Sequence, residues 1–147
     1  MRITRAAEYA VRCILYLSQK GRGELITRQE ISEQADIPAK FLAKIAQELA
    51  KAHLIDIRQG AKGGFRLLKE PKEITLLQVV EIMIGEIYLN DCAMDPETCG
   101  ASSNCAVNRI WVKARTQLRQ TLAQEDFAKL AKQKSCFPIL GLEPLIP

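Results

Sequence analysis

The chain has 147 residues, 48% hydrophobic and 26% charged, proportions that argue for one ordinary globular domain and against a disordered or low-complexity chain. The opening Met1-Arg2-Ile3-Thr4-Arg5 has no apolar signal-peptide core, and no run is long enough to span a bilayer, so a cytoplasmic protein with no membrane partner is expected. In that compartment thiols stay reduced, and the odd number of five cysteines favours metal binding or redox sensing over a disulfide framework.

The net charge of +4 is local. Between residues 38 and 66 stand Lys40, Lys44, Lys51, Arg58, Lys62 and Arg66 against Glu48 and Asp56, a surplus equal to that of the whole chain. Such a surplus is the footprint of a phosphate-binding face, while a solvated surface with a chance excess accounts for the charge alone equally well.

From Arg5 to Gln19, Ala6, Tyr9, Ala10, Cys13, Ile14 and Leu17 recur at helical spacing, and Gly21 and Gly23 end the helix. Thr27-Arg28-Gln29-Glu30 has capping-box form and predicts a short second helix, with Thr27 capping and Glu30 reaching back. Ala35-Asp36-Ile37 makes a turn, and Pro38 suits the first position of the next helix. That helix carries Phe41, Leu42, Ile45, Leu49 and Ala52 on its buried side and Lys40, Lys44, Gln47 and Lys51 on another face. Leu54 to Arg58 and Phe65 to Leu68 read as the strands of a hairpin, and Gly60, Gly63 and Gly64 supply the backbone freedom its loop needs. Helix–turn–helix followed by a glycine-rich basic hairpin is a winged helix. In that module the second helix enters the major groove of double-stranded DNA, and the hairpin reaches the backbone or minor groove.

After Pro71, Thr75-Leu76-Leu77-Gln78 repeats the capping-box form and opens a helix through about Ile84. No Lys or Arg occurs from Glu73 to Asn108, and residues 85–104 hold Asn90, Asp91, Asp95, Pro96, Gly100, Ser102 and Ser103, all loop-favouring. Cys105 sits at or just before the last long helix, where Val107, Trp111, Ala114, Leu118 and Thr121 step by four, three, four and three residues. That stripe serves equally for a dimer seam or for packing inside one subunit. A short helix around Glu125 to Gln133 and an apolar, proline-bearing tail close the chain. The expected organisation is a winged helix-turn-helix unit over 1–84, a cysteine loop over 85–104, a long and a short helix over 105–134, and a tail over 135–147.

The cysteine loop reads Cys92-x6-Cys99-x5-Cys105. Thiolates are soft anionic donors that bind iron and zinc strongly. Structural zinc sites draw cysteines in pairs roughly two to four residues apart. Here the gaps are six and five and the only histidine, His53, lies outside the loop. The spacing therefore suits an iron–sulfur cluster better than a zinc ion, with idle thiols or a regulatory disulfide as alternatives. Cys13 lies on the apolar stripe of the first helix as a small core residue, and Cys136 beside Phe137 has no identifiable partner.

Together with the opening Met1 to Ala10, the segment Ile31 to Leu49, the wing Gly60-Ala61-Lys62-Gly63-Gly64-Phe65-Arg66-Leu67 and Glu73-Ile74-Thr75-Leu76, these features resemble the Rrf-two family of bacterial winged-helix transcription regulators (IscR-, NsrR- and RirA-like proteins) over nearly the whole chain. The resemblance implies a mostly α fold, a winged helix-turn-helix with a two-stranded β wing and a long C-terminal dimerisation helix. It implies a homodimer whose long helices cross, which places Val107, Trp111, Ala114 and Leu118 at the seam. It further implies that Cys92, Cys99 and Cys105 ligate a 2Fe–2S or 4Fe–4S cluster whose state controls promoter binding. Some members place a fourth-ligand histidine three residues after the last cysteine, where this chain has Asn108, a poor iron ligand. Others use a carboxylate from the first helix of the other subunit, and Glu8 stands at the matching position. A surface ion pair of Glu8 with Arg5 or Arg12 is its alternative role. Similar members often carry arginine immediately before the first wing glycine; here Gln59 holds that place, next to Arg58 and near Lys62. The expected DNA-contacting set is Arg2, Thr4, Lys40, Lys44, Gln47, Arg58, Gln59, Lys62 and Arg66, mostly toward phosphates, with Gln47 as a base reader.

No nucleophile–base pair, nucleotide loop or substrate motif occurs, so neither an enzyme nor a small-molecule substrate is expected. The alternative keeps the DNA-binding fold and makes the cysteines a thiol-redox switch, or leaves control to a small metabolite or a partner protein.

Overall fold

The computed structural model describes residues 2–133; the tail expected over 135–147, with Cys136, lies outside them. The apolar stripe of the first helix, α1 (Arg5–Lys20), becomes the centre of the core. Ala7, Ala10, Cys13, Ile14 and Leu17 are all at most 1% exposed. The Thr4 hydroxyl accepts from the Ala7 N–H at 3.2 Å to start the helix, and Gly21 at φ 102° ends it.

α2 (Arg28–Gln34) and α3 (Ala39–Lys51) form the helix–turn–helix. Asp36 in the turn adopts φ 51°, and its carbonyl accepts from Arg12 of α1 at 3.0 Å. α3 buries Leu42, Ile45, Ala46 and Leu49. The Tyr9 and Phe41 rings meet at 5.5 Å, tying α1 to α3. β1 (Ile55–Arg58) and β2 (Gly64–Leu67) pair antiparallel from Ile55 opposite Leu67 to Arg58 opposite Gly64. Ile26 and Phe65 exchange backbone hydrogen bonds of 2.9 and 2.8 Å, so the segment before α2 backs the wing.

α4 (Leu76–Ile84) is capped by Thr75 and ends at Gly85. A short helix α5 (Asp91–Met94) precedes the long α6 (Ala106–Ala123) and the terminal α7 (Phe127–Ala131). α7 folds back onto α1. Leu76 donates to the Glu125 carbonyl at 2.8 Å and Phe127 to the Ile74 carbonyl at 3.0 Å, and Phe127 is fully buried. Among the described residues no helix is long and apolar enough to cross a membrane.

The architecture is the mostly α winged helix-turn-helix expected from the sequence, with differences in detail. Residues 85–104 are not plain loop: besides α5 they form 3-10 turns at Pro96–Thr98, which Asp95 and Pro96 initiate, and at Ser102–Asn104. Pro38 caps α3 from outside rather than occupying its first position. The closing helix covers only Phe127–Ala131, capped by Asp126. Glu30 does not reach back to Thr27; its carboxylate takes the Tyr16 hydroxyl at 2.7 Å and lies 3.5 Å from Lys20. A phenol and an ammonium together offer a carboxylate more than one exposed backbone N–H.

Gly64 lies so close to the backbone before α2 that a Cβ there would sit 2.0 Å from the Ile26 carbonyl oxygen. Gly64→Ala is expected to lower unfolding stability by about 2–3 kcal/mol, measured by urea denaturation. Gly60→Ala, where nothing lies within 4 Å and only φ 97° is strained, is expected to cost about 1 kcal/mol.

Candidate functional site

Two surfaces carry chemistry. The first is the exposed side of α3 with the wing beside it. Lys40, Lys44 and Gln47 are exposed on the face opposite Leu42, Ile45 and Leu49, and the Lys40 ammonium lies 5.6 Å from the Phe41 ring centroid. Lys62 is exposed at the wing tip. Arg58 and Arg66 both turn to Asp56, at 3.1 and 2.9 Å, because residues 56 and 58 share one face of β1 and Arg66 lies across from Asp56. Gln59 accepts from Arg28 of α2 at 3.0 Å. Arg2 is exposed at the N-terminus, and the Thr4 hydroxyl is engaged as the α1 cap.

The second surface is the thiol segment. Cys92 and Cys105 are half-buried and Cys99 is exposed; among the described residues none of the three is in a disulfide. The Cys92 sulfur accepts from the Asn90 amide at 3.2 Å. The Cys105 sulfur caps α6 and accepts from the Asn108 N–H at 3.4 Å. Asn108 is 8% exposed, and its side-chain amide donates to the Cys92 carbonyl at 2.7 Å. One asparagine thus clasps the segment around Cys92 to the start of α6. Sequence reasoning weighed Asn108 only as a failed ligand; its clasp depends on an α5–α6 contact that spacing does not reveal. Asn90 Oδ1 and Ser102 Oγ are buried in the same segment with no hydrogen-bond partner among the described residues.

These residues fit an iron–sulfur cluster in kind: three soft donors, two backed by N–H groups that favour negative sulfur, with spare buried polar atoms around them. Within one chain they are open, since no three His, Cys, Asp or Glu side chains converge on a metal-sized point among the described residues. Glu8 is not brought to the cysteines in one chain. It pairs with Arg5 at 2.9 Å beside an open cavity of about 340 Å³ lined by Ile3, Val11, Arg12, Leu76, Val80 and Leu122. Arg12, the other partner considered for Glu8, goes to Asp36 instead, with 3.6 Å between the charges.

An ionic joint links α6, which begins at the thiol segment, to α4. Arg119 of α6 grips Glu81 of α4 through two hydrogen bonds of 2.8 and 3.1 Å, and Glu81 also accepts from the Ile87 N–H at 2.9 Å. Arg115 binds Glu86 and the Ile87 carbonyl and reaches the Met94 sulfur. The Arg119 guanidinium holds the Glu81 carboxyl below the usual carboxylate range. The joint's contribution is therefore present above the ordinary glutamate range and is lost as pH falls through the lowered value. Above this joint α6 leaves an apolar face open: Val107 is 56% and Ile110 61% exposed, with Trp111 and Val112 beside them. Ala114 and Leu118, lower on the same stripe, are half-buried.

A helix–turn–helix that presents an exposed basic face, flanked by a glycine-pinched hairpin, defines a winged-helix DNA-binding protein. The chain belongs to the Rrf2 family, described as iron-dependent transcriptional regulators, whose model matches residues 3–133. It is similar to protein aau3 of Rhizobium meliloti, 32% identical over 146 residues that cover 97% of this chain and 94% of that protein. It is 30% identical to the HTH-type transcriptional regulator NsrR of Shouchella clausii over 125 residues, 84% of each chain. Its fold matches that of CymR, the global cysteine regulator of B. subtilis, with a TM-score of 0.76 at 20% identity, covering 92% of this chain and 99% of that one. The protein is accordingly a winged-helix transcription regulator and not an enzyme.

Burial separates the thiols. Cys13 is fully buried and desolvation pushes its thiol up to about 12, so at pH 8 iodoacetamide is expected to modify Cys99 first, Cys92 and Cys105 more slowly, and Cys13 only on unfolding, read by peptide mass spectrometry. Asn108→Ala leaves the Cys92 carbonyl without its donor and is expected to cost about 1–2 kcal/mol of stability. Faster hydrogen exchange confined to residues 90–108 is its signature.

Proposed function

We propose that the chain acts as a homodimer whose hold on promoter DNA is controlled by an iron–sulfur cluster bound through Cys92, Cys99 and Cys105. The observation that carries this reading is the seating of the thiol segment. Asn108 clasps it to the start of α6, and α6 is joined through Arg119 and Glu81 to α4, which packs on α1 and α3. A change in order at the cysteines therefore has a contiguous packed route to the DNA-reading helix. The family's description as iron-dependent supports the choice of metal.

Glu8 of a second copy is the proposed fourth ligand, since Glu8 is 44% exposed and, among the described residues, joins no metal-sized group of cysteines within its own chain. The exposed face Val107, Ile110, Trp111 and Val112, continued by Ala114 and Leu118, is the proposed seam, as burying it removes apolar surface from water. When bound, the cluster supplies a redox- and ligand-sensitive centre whose loss or oxidation changes the order of the cysteine segment. Lys40, Lys44 and Lys62 serve as phosphate contacts and Gln47 as a base reader. Arg58 and Arg66 contribute less field than their number implies because they share Asp56. A thiol-redox switch without a cluster is the second reading, favoured by the exposure of Cys99.

Protein purified without oxygen is expected to contain iron and acid-labile sulfide in equal amounts, with visible absorption that Cys92→Ser, Cys99→Ser and Cys105→Ser each abolish. Zinc, or no metal after attempted reconstitution, would sink the cluster and leave the thiol switch. For the DNA face, Lys44→Ala is expected to flatten the log affinity–log salt slope by about 0.9; an unchanged slope removes Lys44 from the contact set.

A further inference from the structure

The wing carries less free positive charge than its arginines imply. Asp56 takes Arg58 at 3.1 Å and Arg66 at 2.9 Å, so two of its cations share one carboxylate. Beside the start of the hairpin loop stands a cation from outside the basic segment: Arg28, the first residue of α2. Its Nη2 donates to Gln59 Oε1 at 3.0 Å across 31 residues of sequence. Its guanidinium carbon lies 5.9 Å from the centroid of the Phe65 ring. Arg28 is exposed.

Arg28 also lines a cleft of about 340 Å³ between α2 and α3, together with Ser32, Ala39 and Ala43. Ala39 and Ala43 are exposed on the α3 side that carries Lys40 and Lys44. Glu33 borders the same cleft, and its carboxylate accepts from Gln29 at 2.9 Å. Arg28 therefore stands where α2, the solvent face of α3 and the wing meet.

We propose that Arg28 is a DNA-contacting residue and that Gln59 is its positioning residue, a wing cation supplied from α2. A guanidinium has five N–H donors in a rigid fork, and Gln59 occupies one end of it. The amide is neutral, so it holds the side chain without quenching its charge, in contrast to Asp56 with Arg58 and Arg66. The Phe65 ring restricts the same side chain from another direction, which reduces the ordering cost on binding. This inference rests on the winged-helix assignment and is independent of any cluster.

The test is a double-mutant cycle on the full chain, read by fluorescence anisotropy with a fluorescein-labelled mixed-sequence duplex over a salt series. Arg28→Ala is expected to weaken binding on the order of tenfold at low salt and to flatten the salt slope by about 0.9. Gln59→Ala, which changes no charge, is expected to weaken binding by about threefold in the wild-type background and not at all in the Arg28→Ala background. Arg28→Lys, which keeps the charge if Arg28→Ala fails to fold, is expected to keep the slope and to lose the coupling to Gln59. An unchanged slope in Arg28→Ala, or equal Gln59→Ala losses in both backgrounds, overturns the proposal. If Lys44→Ala flattens the slope and Arg28→Ala does not, the α3 reading stands and this inference alone falls.

Discussion

Burial of one face of α1 is the constraint on which the rest of the structure depends. Ala7, Ala10, Cys13, Ile14 and Leu17 are inaccessible or nearly so, and the same helix packs on α2, α3, α4, α7 and β2. Small residues at positions 7, 10 and 13 let neighbouring helices approach closely, since interaxial distance follows the side chains at the contact. Ile14 and Leu17 fill the space that remains, each contributing about 2–3 kcal/mol as a fully buried aliphatic side chain. Arg12, on the rim of this face, reaches the Asp36 carbonyl and so fixes the turn between α2 and α3. One helix thus sets both the depth of the core and the pose of α3.

Charge is divided between the two ends of the molecule in a way that suits their chemistry. The segment from residue 73 to 108 contains no lysine or arginine, and its Cys92 and Cys105 sulfurs are met by neutral N–H donors from Asn90 and Asn108. Arg115 and Arg119 bind Glu86 and Glu81 within this region, and Arg115 also reaches the Met94 sulfur. Those pairs are spent on the joint between α4 and α6 and not on the thiols. At the other end the basic residues of α3 project into solvent, while the wing arginines gather on Asp56. The field that a polyanion meets is therefore weighted toward α3, Lys62 and Arg28 beside the wing loop, and less toward the hairpin's own strands.

The return of α7 makes the C-terminal half part of the same core. Phe127 is buried completely, and backbone bonds join residues 74–76 to 125–127. A long helix that departs from the winged-helix unit is thereby anchored at its far end as well as at Glu81. This double anchoring makes α6 a rigid strut between the cysteine segment and the core, with the apolar face around Val107, Ile110, Trp111 and Val112 left outside. The half-burial of Ala114 and Leu118 on the same stripe follows from packing against α4, so one periodic pattern serves two environments along its length.

Local rules determined much of this in advance. Apolar spacing located α1 and α3 within a residue or two, Thr27 and Thr75 marked the starts of α2 and α4, which the structure caps as expected, and the wing glycines located the hairpin, because period, capping and turn chemistry act within a few residues. The clustering of thiols and of positive charge is likewise written in the chain itself. The tertiary structure alone decided which partner each polar side chain takes: Glu30 with Tyr16, not the backbone of Thr27; Arg58 and Arg66 with Asp56; Arg28 with Gln59; and Asn108 with the Cys92 carbonyl. Apart from Arg58 with Asp56, which follows the strand period of two, these pairings join residues whose separation in sequence carries no periodic signal. They are chosen by whichever donor or charge the packed core happens to bring within about 3 Å.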